Sequence, residues 1–176
     1  MQKYISILRG INVGSAKKIL MADLKALYES LEFTNVHTYI QSGNVAFSSD
    51  STANLTTPIQ TAIMTKYGFD VPIIVLKETE LTAIVHNNPF IASVEDTTKL
   101  HVTFLGTLPN EIASAKVQTL SFAPDVFQII NRAVYLHCPI AYGHTKLSNS
   151  FFEKQLNVSA TTRNWKTVLA LMELNG

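Results

Sequence analysis

What this chain lacks narrows the classes of protein to which it can belong. Only one of the 176 residues is a cysteine, Cys138, so no internal disulfide can form. No apolar run approaches the roughly 20 residues needed to span a bilayer. No N-terminal stretch combines a basic start, a long apolar segment and a small-residue cleavage site. These absences predict a soluble, cytoplasmic protein with no membrane contact.

Charge and reactive groups are also scarce. Charged residues make up 15% of the chain and the formal net charge is +1, whereas an average soluble chain is roughly 25% charged. This balance provides no strong field to attract nucleic acid or an anionic membrane. The five histidines show no zinc-site spacing with cysteine, and no G-x-S-x-G motif is present. We therefore expect no metal, predict no cofactor and assign no catalytic residue, and we leave open whether the protein is an enzyme.

Hydrophobic residues make up 47% of the chain, enough for one compact domain or two small ones packed together. The stretch 38–47 predicts a β-hairpin, because β-forming residues flank a turn centred on Gly43 and Asn44. Before it, the pattern predicts a strand at 3–8, a loop and a helix beginning at Met21. After it come a helix at 55–67 that stops at Gly68, a strand at 71–76 and a short helix N-capped by Thr79.

The second half of the chain repeats this plan. Residues 99–106 resemble 3–10 in length and alternation, and a helix opens at Pro109. A second hairpin turns at Asn131 and Arg132, and a helix at 147–156 has Ser150 and Glu153 at the spacing of a capping box. A strand at 160–163 and a final helix complete the repeat. The pattern predicts an α+β fold with a tandem duplication of two ferredoxin-like (βαββαβ) subdomains with antiparallel sheets, as lobes at 1–92 and 93–176.

Four motifs carry a resemblance to a known family: Leu8-Arg9-Gly10-Ile11-Asn12-Val13-Gly14, Met21-Ala22-Asp23-Leu24, Thr38-Tyr39-Ile40-Gln41-Ser42-Gly43-Asn44-Val45 and Ala160-Thr161-Thr162-Arg163-Asn164-Trp165-Lys166-Thr167-Val168. Together they resemble the bacterial Domain of Unknown Function 1697 (DUF1697) family over essentially the whole chain. The resemblance implies a two-lobed α+β fold and a cytosolic location, and it implies no activity. Two positions depart from the family pattern: Ser15, where a second glycine is usual, and Thr145, which replaces a serine but keeps the hydroxyl.

The loop after the first strand is one candidate binding element. Arg9 and Asn12 lie between glycines, and Lys17 and Lys18 follow, so backbone N–H groups and cations could surround an anion. The glycine spacing differs from that of a P-loop, which needs four residues between its glycines. The alternative is that the glycines only permit a tight backbone path while Arg9 pairs with a neighbouring carboxylate or with a helix C-terminus.

The tip of the first hairpin is a second candidate. Gln41, Ser42 and Asn44 place three hydrogen-bonding side chains there. They could bind a ligand, or they could bond to one another and to their own backbone, as Asn commonly does in turns.

Arg163 and Asn164 form a third candidate, with Lys146 nearby in the chain. Only three arginines occur, and two of them, Arg9 and Arg163, lie inside the motifs. Arginine suits planar contacts with carboxylate or phosphate. We therefore hypothesise a cleft between the lobes that binds a small anionic ligand. In the alternative, Asn164 caps the last helix, Trp165 fills the core and Arg163 forms an ion pair between the lobes. A further alternative is a nucleic-acid or protein interaction module that uses the sheet faces without catalysis, although the net charge disfavours nucleic acid. The sequence leaves the oligomeric state open.

Overall fold

The computed structural model describes residues 1–174. Within them the chain forms two four-stranded antiparallel sheets and six α-helices. It divides into two compact units, one made of residues 1–83 and 170–174 and the other of residues 84–169. No helix in this part of the chain has both the length and the apolar character that crossing a bilayer requires.

The first unit contains strands β1 (Gln2–Leu8), β2 (Thr34–Tyr39), β3 (Asn44–Ser49) and β4 (Ile73–Lys77), with helices α1 (Met21–Ser30) and α2 (Thr56–Tyr67). Its strand order is β2-β3-β1-β4, and every neighbouring pair is antiparallel. Helix α3 (Glu78–His86) begins directly after β4.

The second unit has the corresponding elements: strands β5 (Leu100–Leu105), β6 (Val126–Ile130), β7 (Ala133–His137) and β8 (Ala160–Asn164), with helices α4 (Glu111–Gln118) and α5 (Asn149–Leu156). Its strand order is β6-β7-β5-β8, again antiparallel throughout. Helix α6 (Trp165–Glu173) follows β8, and single 3-10 turns occur at Thr97–Lys99 and Tyr142–His144.

Each unit has a core built from the apolar residues of its own sheet and helices. In the first unit Phe47 of β3 lies at the centre of an aromatic cluster, with ring centroids 5.6 Å from Tyr4, 5.4 Å from Tyr28 and 4.6 Å from Phe33. Helix α1 contributes Leu24, Leu27 and Tyr28, all buried, which is the i, i+3, i+4 face that its sequence predicts. This packing fixes the strand ends from which the loops of the candidate site emerge.

The structure corrects two predicted helix N-caps. Ser148, not Ser150, caps α5, because its hydroxyl accepts from the Phe151 N–H. Glu153 therefore closes no capping box; its carboxylate instead accepts from the Ala160 N–H at the start of β8. Thr79 caps nothing, since α3 begins at Glu78. Helix α3 starts directly at the end of β4, and α5 starts after the serine whose hydroxyl accepts from the N–H three residues further on.

A half-buried histidine in the second unit makes acid stability testable. His101 of β5 stacks on Tyr142 with ring centroids 4.7 Å apart. Burial lowers the pKa of His101, and a backbone hydrogen bond involving Lys99 partly opposes this effect. The histidine of the unfolded chain, with a pKa of about 6.5, therefore takes up a proton at a higher pH than the histidine of the folded chain. The free energy of unfolding should fall as the pH drops through about 6.5.

We expect His101→Phe, which keeps a ring against Tyr142 but takes up no proton, to reduce this acid-induced loss of stability. Urea unfolding at several pH values below 7.5 measures it. His37→Phe, at an exposed position of β2, controls for the loss of one histidine. An unchanged pH dependence in His101→Phe would contradict the assignment.

Candidate functional site

Asn12 joins the loop after β1 to the tip of the first hairpin. Its side-chain N–H groups donate to the carbonyl oxygens of Ile19 and Gln41, each at 2.9 Å, and its Oδ1 accepts from the Ile19 N–H at 2.9 Å. The residue has φ of 56°, a left-handed conformation that asparagine tolerates better than most residues. Both amide hydrogens are therefore used within the protein, and Asn12 acts as a positioning residue for the loop.

Gly43 brings the hairpin tip against the end of β1. Its carbonyl accepts from the Leu8 N–H at 2.8 Å. Its φ is +80°, and a Cβ atom at this position would lie 2.7 Å from Ile11 Cδ1 and 2.8 Å from Leu8 Cβ. Both the backbone conformation and the close approach require glycine here.

Two further residues of this region have unusual backbone angles. Ile40 has φ of 48° and Lys17 has φ of 49°, and a β-branched residue in this region is a genuine outlier. Such residues cost on the order of 1–3 kcal/mol each and occur often at ligand-binding and switch segments. Lys17 is held in place by donating from Nζ to the Asp70 carbonyl at 2.6 Å. The loop and the hairpin tip therefore hold a strained but well-connected arrangement.

A cavity of about 270 Å³ opens between this loop and the hairpin tip, and it is lined by Asn12, Lys18, Ile19, Leu20 and Gln41. Lys18 and Gln41 are exposed. Within residues 1–174 no carboxylate forms an ion pair with Lys18. Leu20 is also the N-cap of α1 and provides no side-chain cap. The cavity thus brings together a cation, a side-chain amide and the positive end of a helix dipole.

The other predicted residues of the first unit lie at the start of β3 and at the end of β1. Asn44 is fully buried and donates from Nδ2 to the Tyr39 carbonyl at 3.1 Å and to Ser42 Oγ at 2.9 Å. It is the first residue of β3 rather than a turn residue. Arg9 is half-buried, and its backbone N–H donates to the Pro72 carbonyl at 2.9 Å.

Arg163 and Asn164 lie at the end of β8 in the second unit. Arg163 donates from Nη1 to the Thr162 carbonyl at 3.0 Å, and burial lowers the pKa of its guanidinium to about 10, so it stays protonated at neutral pH. Asn164 Oδ1 accepts from the Thr167 N–H at 2.8 Å and so caps α6.

Lys146 lies at a second cavity, of about 380 Å³, in the second unit. The neighbouring Thr145 donates from Oγ1 to Asp125 Oδ2 at 2.6 Å. Cys138 is fully buried nearby. Burial raises the pKa of its thiol to about 11; the Asp125 charge adds to this effect and a hydrogen bond with Thr145 opposes it. The cysteine therefore stays a thiol at neutral pH, and the thiolate is the form that acts as a nucleophile.

The structure brings together only some of the predicted residues. Asn12 and Gln41 meet through a hydrogen bond, as do Ser42 and Asn44. Arg9 belongs to the first unit, whereas Lys146, Arg163 and Asn164 belong to the second. The predicted convergence of Arg9 and Arg163 stays a prediction. Among the described residues, no group of three histidine, cysteine or acidic side chains is arranged to hold a metal ion.

Sequence reasoning did not select Asp125 and His144, which line the second cavity. Asp125 and Thr145 lie 20 residues apart, and Asp125 belongs to none of the motifs. The only signal was the hydroxyl retained at Thr145.

The fold is that of a protein of two α+β units, each with one four-stranded antiparallel sheet. The chain belongs to a family described as "Protein of unknown function (DUF1697)", whose model matches residues 1–135. A similar solved structure is that of the conserved bacterial protein SP0830 from Streptococcus pneumoniae, with 25% sequence identity, a TM-score of 0.80 and coverage of 99% of each chain. No curated protein shows a significant match.

Proposed function

We propose that this protein binds a small anionic ligand, bearing a phosphate or a carboxylate, in the cavity between the loop after β1 and the first hairpin. The observation that supports the proposal most is the meeting of Lys18, Gln41 and the N-terminus of α1 at one cavity of about 270 Å³. The proposal extends to a cytoplasmic location, as expected of a chain with a single cysteine.

The chemistry of the lining favours an anion. The Lys18 ammonium supplies the charge, the Gln41 side chain supplies a neutral donor, and the first-turn N–H groups of α1 point toward the helix start. The first turn of α1 also carries an acidic residue, Asp23, which does not line the cavity. The cavity lies just below the roughly 300–1,000 Å³ typical of drug-sized ligand sites, which favours a compact ligand.

Lys18→Gln should weaken phosphate binding about tenfold or more, because it removes the only charged side chain that lines the cavity. Titration with inorganic phosphate and with acetate, followed by the backbone amide shifts of Met21 and Ala22 and by the Gln41 side-chain amide, measures binding at this site. Lys66→Gln, an equal charge change on the exposed last turn of α2, should bind as the unmodified protein does. Equal affinity in Lys18→Gln, or shifts that avoid these three residues, would overturn the proposal.

The sheet-face alternative receives less support. Residues Tyr4–Leu8 of β1 and all of β3 are buried. RNA-recognition modules instead use exposed aromatic residues on such central strands to stack bases. The central strands therefore favour ligand binding at the loops over macromolecular binding on the sheet.

We also propose that the two lobes predicted at 1–92 and 93–176 are a duplication of one ferredoxin-like subdomain. Two features support it: the shared β-α-β-β-α-β element order and the corresponding strand orders β2-β3-β1-β4 and β6-β7-β5-β8.

A further inference from the structure

The cavity at Lys146 in the second unit carries charges of both signs. It has a volume of about 380 Å³ and lies between the loop before β6 and the segment after β7. Its lining residues are Ser121, Phe122, Ala123, Pro124, Asp125, Ile140, Ala141, His144 and Lys146. None of them lines the cavity of the first unit, so the two cavities share no residue and a ligand of one does not require the other.

Hydrogen bonds of its side chain and of its backbone hold Asp125 in place at this cavity. Thr145 donates from Oγ1 to its Oδ2 at 2.6 Å, and Thr145 Oγ1 in turn accepts from the Leu147 N–H at 3.2 Å. The Asp125 backbone N–H donates to the Phe122 carbonyl at 3.0 Å, which closes the loop on itself. Within residues 1–174 no hydrogen bond uses the second carboxylate oxygen, Oδ1. Asp125 therefore presents a positioned acceptor for a cationic donor.

Lys146 supplies the opposite charge. It is exposed at the rim, next in sequence to the hydroxyl that holds Asp125, and no described carboxylate forms an ion pair with it. His144, also exposed, adds a second nitrogen donor on the same segment. Phe122, Pro124 and Ile140 provide apolar surface in the same cavity.

We propose that this cavity binds a small zwitterion, an α-amino acid with an apolar side chain, whose ammonium contacts Asp125 and whose carboxylate contacts Lys146. A simple anion would satisfy Lys146 but face the Asp125 carboxylate, and a simple cation would meet the reverse problem. A ligand with both charges pairs with both groups, and its apolar side chain covers Phe122 and Ile140. The volume lies at the lower end of the range for small-molecule sites, as a single amino acid requires.

Isothermal titration calorimetry on the whole chain tests this with L-leucine and two analogues that each lack one charge, 3-methylbutylamine and 4-methylpentanoate. L-Leucine should bind about tenfold or more tightly than either analogue, because each analogue loses one charge-assisted contact. Equal binding of the three compounds, or no detectable binding of L-leucine, would overturn the proposal.

Two variants test which side chain contacts the ammonium of the ligand and which contacts its carboxylate. Asp125→Asn can still accept from Thr145, so the loop contact is kept; it should lose the preference for L-leucine over 4-methylpentanoate. Lys146→Gln should lose the preference for L-leucine over 3-methylbutylamine. Lys116→Gln, on the exposed face of α4, and Lys18→Gln, at the other cavity, should keep both preferences. If Lys18→Gln abolishes binding, or neither Asp125→Asn nor Lys146→Gln changes it, the ligand is not in this cavity and the proposal fails.

Discussion

Gly43→Ala is expected to lower the free energy of unfolding by about 3 kcal/mol. An alanine at φ of +80° costs on the order of 1–2 kcal/mol by itself. Its Cβ would also lie 2.8 Å from Leu8 Cβ and 2.7 Å from Ile11 Cδ1, so strand end and loop must move apart. Urea unfolding followed by far-UV circular dichroism measures the loss.

Gly10→Ala separates the cost of the positive φ from the cost of the close Cβ contacts. Gly10 has φ of +74°, but a Cβ atom there would have no neighbour within 4 Å. We therefore expect a loss of only about 1 kcal/mol, from the backbone conformation alone. The Leu8 amide donates to the Gly43 carbonyl. Its hydrogen exchange with solvent should be faster in Gly43→Ala than in Gly10→Ala. Equal losses in the two variants would show that the close approach of the hairpin tip contributes nothing.

Asn12→Ala should cost about 4 kcal/mol, since it removes three hydrogen bonds at about 1 kcal/mol each net and places alanine at φ of 56°, which adds about 1 kcal/mol. Asn157→Ala is the matched control. Asn157 has nearly the same φ, 54°, at the end of α5, and no hydrogen bond of its side chain occurs among the described residues. Its loss should be about 1 kcal/mol.

The Ile19 amide gives a local measurement of the same effect. It donates to Asn12 Oδ1, so its hydrogen exchange should accelerate in Asn12→Ala and stay unchanged in Asn157→Ala. Phosphate binding should weaken as well, because Asn12 holds the loop that carries Lys18 against Gln41. Unchanged exchange at Ile19 would contradict the positioning role of Asn12.

Local sequence chemistry accounts for much of the fold. Helix α1 follows from the spacing of Leu24, Leu27 and Tyr28, and the hairpin between β6 and β7 turns at Asn131 and Arg132 as predicted. The first hairpin was also predicted, although its turn differs in detail. Asn44 pairs with Tyr39 inside the sheet, and Ile40 takes the left-handed conformation instead. Propensity argues against isoleucine there, so only contacts around the tip can impose it.

The candidate site was predicted in parts. Asn12 and Gln41 were each selected because they stand in polar turns, but their hydrogen bond joins residues 29 positions apart. Lys17 and Lys18 are adjacent in the loop, and the structure separates them: Lys17 donates to the Asp70 carbonyl, whereas Lys18 lines the cavity. Two adjacent identical residues thus have different roles, which no spacing rule distinguishes.

By itself, the sequence determined the α+β class, most strands and helices, and the glycine-bearing turns, because these depend on periodicity and on backbone conformations within a few residues. Only the tertiary structure decided that Asn12 holds a loop, that Asn44 is buried and that Asp125 lies beside Thr145 and Lys146 at one cavity. These roles depend on which distant groups meet once strands are paired. A carboxylate or an amide has the same local chemistry whether it faces water or a partner, so only the folded chain assigns its role.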